Sequence, residues 1–133
     1  MIFQSKPKES KVYKVLIVED ELKLQKAIGD KVQREGWQSI VASNGEEGLR
    51  AVMKEKPDIV LLDIIMPIMD GLTMLKELRK ISDVPVLILT NLYDEKKLIE
   101  SFRAGSYDYL VKSNYSLNEV IEKIREALAN AKK

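Results

Sequence analysis

Cysteine and histidine are both absent from the 133 residues. Their absence excludes disulfides, thiol nucleophiles, Cys/His zinc sites, imidazole acid–base chemistry and any Ser-His-Asp triad. Aromatic residues are scarce, at 6%, and 22 Lys plus Arg nearly cancel 21 Asp plus Glu. The resulting net charge of +1 gives no broad basic field for holding a nucleic-acid backbone. No apolar run approaches the roughly 20 residues of a membrane span, and the opening Met1 to Lys11 lacks the apolar centre of a signal peptide. These absences lead us to expect a cytoplasmic protein that contacts neither membrane nor nucleic acid through this domain. No G-x-G-x-x-G or G-x-x-x-x-G-K-[ST] loop follows the first apolar run, which disfavours a nucleotide- or flavin-binding enzyme. Any chemistry falls to carboxylates, Lys, Thr, Ser or Tyr.

What is present suits one globular domain, with 45% hydrophobic and 32% charged residues in a length typical of a single core. The stretch Lys6-Pro7-Lys8-Glu9-Ser10 is polar and broken by proline, so residues 1–11 read as a flexible leader and residues 12–133 as the domain. From Val12 onward, short apolar runs alternate with stretches of helical period five times over, the pattern of a doubly wound parallel α/β sheet. The expected strands are Val12–Val18, Gln38–Ala42, Ile59–Asp63, Val86–Thr90 and Tyr109–Val111. Near-continuous apolar character in the first, third and fourth predicts helices on both faces.

The first helix is expected to follow Asp20, to turn Leu22, Leu24, Ala27, Ile28 and Val32 toward the sheet, and to stop at Gly36. Capping-box spacing at Ser43-Asn44-Gly45-Glu46 opens a second helix that ends before Pro57, with Leu49 and Val52 inward. Asp70-Gly71 opens a third with Leu72, Leu75, Leu78 and Ile81 inward, and Asp94 to Ala104 forms a fourth. A second capping box, Ser116-Leu117-Asn118-Glu119, opens a fifth helix that buries Val120, Ile121, Ile124 and Leu128.

In open parallel sheets, ligands bind beyond the carboxyl ends of the strands. Here those ends carry Glu19-Asp20, Asp63, Thr90 and Lys112. Clustered carboxylates repel unless a cation neutralises them, and hard oxygen ligands with room for water suit Mg²⁺. Lys112 can pair with a carboxylate or a phosphoryl oxygen, and the Thr90 hydroxyl can donate to the same oxygen. An Asp carboxylate can attack phosphorus to give an aspartyl phosphate, and Asp63, central in the expected sheet, is the best candidate acceptor.

Four stretches then resemble the receiver domains of bacterial two-component response regulators, the CheY-like family with a flavodoxin-like (βα)5 fold. They are V-L-I-V-E-D-E at Val15 to Glu21, D-I-V-L-L-D-I-I-M-P-I-M-D-G at Asp58 to Gly71, V-P-V-L-I-L-T at Val84 to Thr90, and A-G-S-Y-D-Y-L-V-K at Ala104 to Lys112. The resemblance implies that Asp63 receives a phosphoryl group from a sensor histidine kinase or phosphotransfer protein. It implies Mg²⁺ held by Asp20, Asp63 and the backbone carbonyl of Ile65, with Glu19 acting through water. It makes Thr90 and Lys112 the phosphoryl-binding pair and Tyr109 a rotating aromatic, which with Thr90 forms the switch. Phosphorylation would draw Thr90 inward, let Tyr109 bury its ring, and reshape the face of the fourth helix, fifth strand and fifth helix. That face would then regulate an output protein or pair with a second copy.

Two positions depart from the family's usual pattern. Ser113 replaces the usual Pro after Lys112, so a cis peptide is not expected there. Asn91 is larger than the usual residue after Thr90. Ile65 and Leu92 are apolar and cannot orient an attacking water, which predicts slow loss of the phosphoryl group. Two other readings keep the same fold: a phosphorylation-independent binding module, and the receiver part of a truncated DNA-binding transcriptional regulator.

Overall fold

The computed structural model describes residues 11–131. Apart from Lys11, the leader read over residues 1–11 lies outside the described residues. Five parallel strands, β1 (Lys14–Val18), β2 (Gln38–Ala42), β3 (Ile59–Leu62), β4 (Val86–Thr90) and β5 (Asp108–Val111), form one sheet in the order β2-β1-β3-β4-β5. They alternate with α1 (Leu22–Arg34), α2 (Gly45–Glu55), α3 (Gly71–Leu78), α4 (Glu95–Arg103) and α5 (Leu117–Ala131), the (βα)5 arrangement expected from the sequence. The strand order reverses between β1 and β3, which leaves a crevice above their carboxyl ends. Among the described residues no helix is long and apolar enough to cross a membrane.

Because strand side chains alternate between faces, the apolar runs divide into two cores. Leu16, Val18, Val60, Leu62, Val86 and Ile88 pack with Val52 of α2 and Leu72, Met74, Leu75 and Leu78 of α3. On the opposite face Val15, Ile17, Ile59, Leu61, Leu87 and Leu110 meet Ile28 and Val32 of α1 and Val120, Ile121, Ile124 and Leu128 of α5. A helix packed on each face explains why β1, β3 and β4 read as unbroken apolar runs.

Several local expectations shift. Leu22 is the first residue of α1, where the helix has only just left the sheet edge, and it is exposed; Gln25 occupies the inner position instead. The α2 cap is one residue later than the spacing suggested. Asn44 accepts the Glu47 N–H, and Glu47 returns a bond to the N–H of Ser43. Ile81 is exposed because α3 ends at Leu78, whose carbonyl accepts the N–H groups of Ile81 and Ser82. The second capping box forms as read, Ser116 and Glu119 exchanging side-chain to backbone bonds. Among the described residues there is no cis peptide, and Lys112–Asn114 makes a 3-10 turn after β5.

The loop from β3 to α3 positions the site and carries two backbone constraints. The Gly71 N–H donates to the Ile64 carbonyl at 2.8 Å, and a Cβ on Gly71 would lie 2.1 Å from the carbonyl oxygen of Asp63. Only glycine lets α3 begin so close to the end of β3. Ile68, a β-branched residue, sits at φ +68°, inside a three-residue turn closed by the Met69 N–H on the Pro67 carbonyl at 2.7 Å. Gly71→Ala is expected to cost about 2–4 kcal/mol, because backbone must move to admit the methyl group. Ile68→Asn, which tolerates the left-handed region, should stabilise by about 1 kcal/mol. Urea unfolding of both variants beside the wild type checks the two signs.

Candidate functional site

Strand register brings the site together. Val18 pairs with Leu62, so the next residues, Glu19 and Asp63, leave adjacent strands at one level. Thr90 pairs with Val111, which sets Thr90 beside Lys112. Glu19, Asp20, Asp63, Ile65, Thr90, Asn91 and Lys112 line one open cleft of about 210 Å³, so the sequence-predicted polar residues do converge.

Glu19 and Asp63 are 3% and 6% exposed, which makes their charges costly unless paired. Lys112 Nζ lies 2.9 Å from Glu19 Oε1 and 3.1 Å from Asp63 Oδ2, so one ammonium serves both carboxylates. The second Asp63 oxygen accepts the Ile65 N–H at 3.2 Å, and Glu19 Oε2 accepts the Glu21 N–H at 3.0 Å. Burial pushes the Glu19 carboxyl above its usual range, and the neighbouring Asp63 charge adds to the rise. The Glu21 N–H and Lys112 pull it back only in part. Burial works against the Lys112 charge as well, but its hydrogen bond to Glu19 and the charge of Asp63 outweigh that, so its pKa stands above the ordinary lysine value.

Asp20 is exposed at the cleft, and its carboxylate has no hydrogen-bond or ion-pair partner among the described residues. One oxygen from each of Glu19, Asp20 and Asp63 falls within 4.8 Å of the others, an arrangement able to hold a metal ion. With all three carboxylates ionised, Lys112 alone leaves two negative charges uncompensated. The donor set therefore fits a small hard cation that keeps part of its water shell.

Thr90 is fully buried, and its Oγ1 accepts the Leu92 N–H at 3.2 Å. The hydroxyl proton is thus left to donate elsewhere. Tyr109 is buried on β5, its hydroxyl donating to the Leu92 carbonyl at 2.6 Å. The ring therefore already occupies the buried position that the sequence reading reserved for the phosphorylated state. Leu92 bonds Thr90 through its N–H and Tyr109 through its carbonyl, a link between side chains of β4 and β5 that no motif in the sequence signals. Gln25 is the other unforeseen participant. Its signal was a polar residue on the inner stripe of α1 shared with Ile28 and Val32.

The profile of the response regulator receiver domain family matches residues 15–125. A protein named probable transcriptional regulator ycf27, from Guillardia theta, is 41% identical over 120 residues, covering 90% of this chain and 47% of that protein. The chain spans about half the length of the curated relatives it matches. Among solved structures, the receiver domain of Francisella response regulator 1452 is similar at TM-score 0.82 and 33% identity, covering 90% of this chain and 98% of that one. A CheY-like receiver domain protein from Methanospirillum hungatei is similar at TM-score 0.86 and 25% identity, covering 90% and 96%.

The carboxylate crowding has a measurable consequence. Asp63→Asn removes a repulsion with Glu19 of about 3 kcal/mol at an effective dielectric near 20, and with it the cost of several kcal/mol for holding the Asp63 charge out of water. It also gives up an attraction to Lys112 that the same dielectric puts at about 5 kcal/mol for their 3.1 Å separation. The metal-free variant should therefore unfold later than wild type, by about 1 kcal/mol, and gain much less stability from added Mg²⁺. Thermal unfolding in chelator and then in Mg²⁺ reads both effects, and a variant that melts below wild type in chelator contradicts the expectation.

Proposed function

The chain belongs to the response regulator receiver domain family of two-component signalling, and from that membership we propose that Asp63 is its phosphoryl acceptor. The donor is the phosphohistidine of a sensor histidine kinase or a phosphotransfer protein. The observation that carries this reading is Asp63 at the floor of the cleft, one oxygen on Lys112 and the other on the Ile65 N–H. Those two bonds hold the carboxylate in a fixed orientation, so little rearrangement is needed for an oxygen to attack phosphorus. The new bond joins an Asp63 oxygen to phosphorus, the bond from phosphorus to the imidazole nitrogen breaks, and the nitrogen keeps the electron pair. Lys112 then shifts toward a phosphoryl oxygen, and the Thr90 hydroxyl donates to another.

Asp20, Asp63 and the Ile65 carbonyl would hold Mg²⁺ directly, with Glu19 acting through water. The ion would neutralise charge on the phosphoryl oxygens. Beyond its own phosphorylation and dephosphorylation the domain turns over no substrate. Its output is a change of shape. Tension on Thr90 reaches Tyr109 through the Leu92 peptide, because an outward Tyr109 has to give up the Leu92 carbonyl. The face of α4, β5 and α5 lies beyond that link and already exposes Ile99 and Phe102, apolar surface suited to a partner or a second copy. The similarity to transcriptional regulators about twice as long supports an output region outside this sequence that acts on transcription.

Incubation with acetyl phosphate followed by intact-mass measurement tests the acceptor. One phosphoryl group should add to wild type only with Mg²⁺, and none to Asp63→Asn. No addition to wild type or to Asn91→Ala, which widens the cleft, would instead favour a binding module that works without phosphorylation. Ile65 lines the cleft and offers no polar atom on its side chain to position water. Ile65→Asn should therefore shorten the phosphoryl lifetime, on the order of tenfold, as read by loss of the added mass with time.

A further inference from the structure

Gln25 is a buried polar residue on α1 that the chemistry above does not use. Its side-chain amide donates to the Glu19 carbonyl at 2.9 Å and the Ala42 carbonyl at 3.2 Å, and lies 3.4 Å from the Ser43 hydroxyl. Its backbone N–H donates to the Glu21 carbonyl at 3.0 Å, so Gln25 grips the β1–α1 turn on both sides of Asp20. Among the described residues it is the only donor to the Glu19 carbonyl.

Asp20 has no side-chain bond of its own among the described residues, so the backbone of this turn sets where its carboxylate points. We propose that Gln25 is a positioning residue for the acidic cleft: by fixing the Glu19–Asp20 peptide it sets the affinity of the cleft for a divalent cation. This rests on the reading of the cleft as the Mg²⁺ site. A primary amide suits the task because it supplies two donors and no charge.

The bonds continue beyond the first turn. The Ala42 carbonyl that Gln25 reaches also accepts the Glu19 N–H at 3.0 Å, joining the carboxyl ends of β1 and β2. From there the capped start of α2 donates its Gly45 N–H to the Met69 carbonyl at 3.0 Å, in the loop that follows Asp63. Gln25 is the side chain that closes this chain of bonds at the Asp20 end. Outer partners that orient metal ligands commonly change affinity by roughly 10–100-fold when removed.

The test is Mg²⁺ titration by calorimetry of wild type, Gln25→Met, Gln25→Leu and Ile28→Val. Gln25→Met keeps length and removes the donors, and should weaken Mg²⁺ binding roughly tenfold while the protein stays folded by circular dichroism. Ile28→Val lowers stability from the same helix without touching the turn, and should leave the affinity at the wild-type value. In wild type, the Gln25 side-chain amide resonance should shift in step with Mg²⁺ binding, a readout that holds even if the variants fold poorly. A folded Gln25 variant with wild-type affinity, or an amide resonance that stays in place through saturation, overturns the proposal while leaving the cleft's function intact. Wild-type protein that binds no Mg²⁺ overturns both.

Discussion

Two buried carboxylates share one ammonium in this protein, and much of the structure can be understood from what that requires. Glu19 and Asp63 leave neighbouring strands at the same level, and Lys112 comes from the far edge of the sheet to lie between them. Taking those charges from water costs several kcal/mol each, which the pairing offsets only in good geometry. That geometry depends on the register of β1 with β3, on β5 ending at Val111, and on a glycine at the start of α3. The arrangement remains one positive charge against three negative ones once Asp20 is included. That excess of negative charge works against stability and would suit a bound cation.

Around this centre, backbone groups carry the coupling. The Leu92 peptide joins Thr90 to Tyr109 across the carboxyl ends of β4 and β5. On the other side, the Gln25 amide joins the turn after β1 to the turn after β2, and Gly45 joins α2 to the loop after β3. Each contact rests on one or two hydrogen bonds of modest net energy. Their effect is geometric, because every loop that bears a cleft residue is tied to a neighbour. The face of α4 is looser: of its nine residues only Ser101 is buried, which suits an element that has to move or meet a partner.

The alternation of apolar runs with helical stretches made five strands and five helices legible, and β2 and β4 were read to the residue. The misreadings share a cause. Leu22 and Ile81 continue the helical period of their neighbours, yet stand where the helix begins or has just ended, so the period persists without a surface to bury against. The shift of the α2 cap from Ser43 to Asn44 reflects two adjacent residues that can both cap, a choice settled by the Gly45 bond to Met69. In the cleft, the carboxylates, Thr90 and Lys112 were visible because polar residues immediately after apolar strands are conspicuous. Gln25 and the Leu92 peptide were not, because one belongs to a helix face and the other acts through backbone atoms that every residue carries.

Hydrophobic period and strand-end polarity are local properties of the chain, so the fold class, the order of strands and helices and the charged groups able to meet are legible from residue order alone. That Lys112 pairs with both carboxylates, that Tyr109 lies buried on the Leu92 carbonyl, and that Gln25 bonds the turn bearing Asp20 emerge only in the folded chain. Those facts depend on distances between residues far apart in sequence. Such distances follow from strand register and helix packing, in which all the local preferences have to be satisfied together.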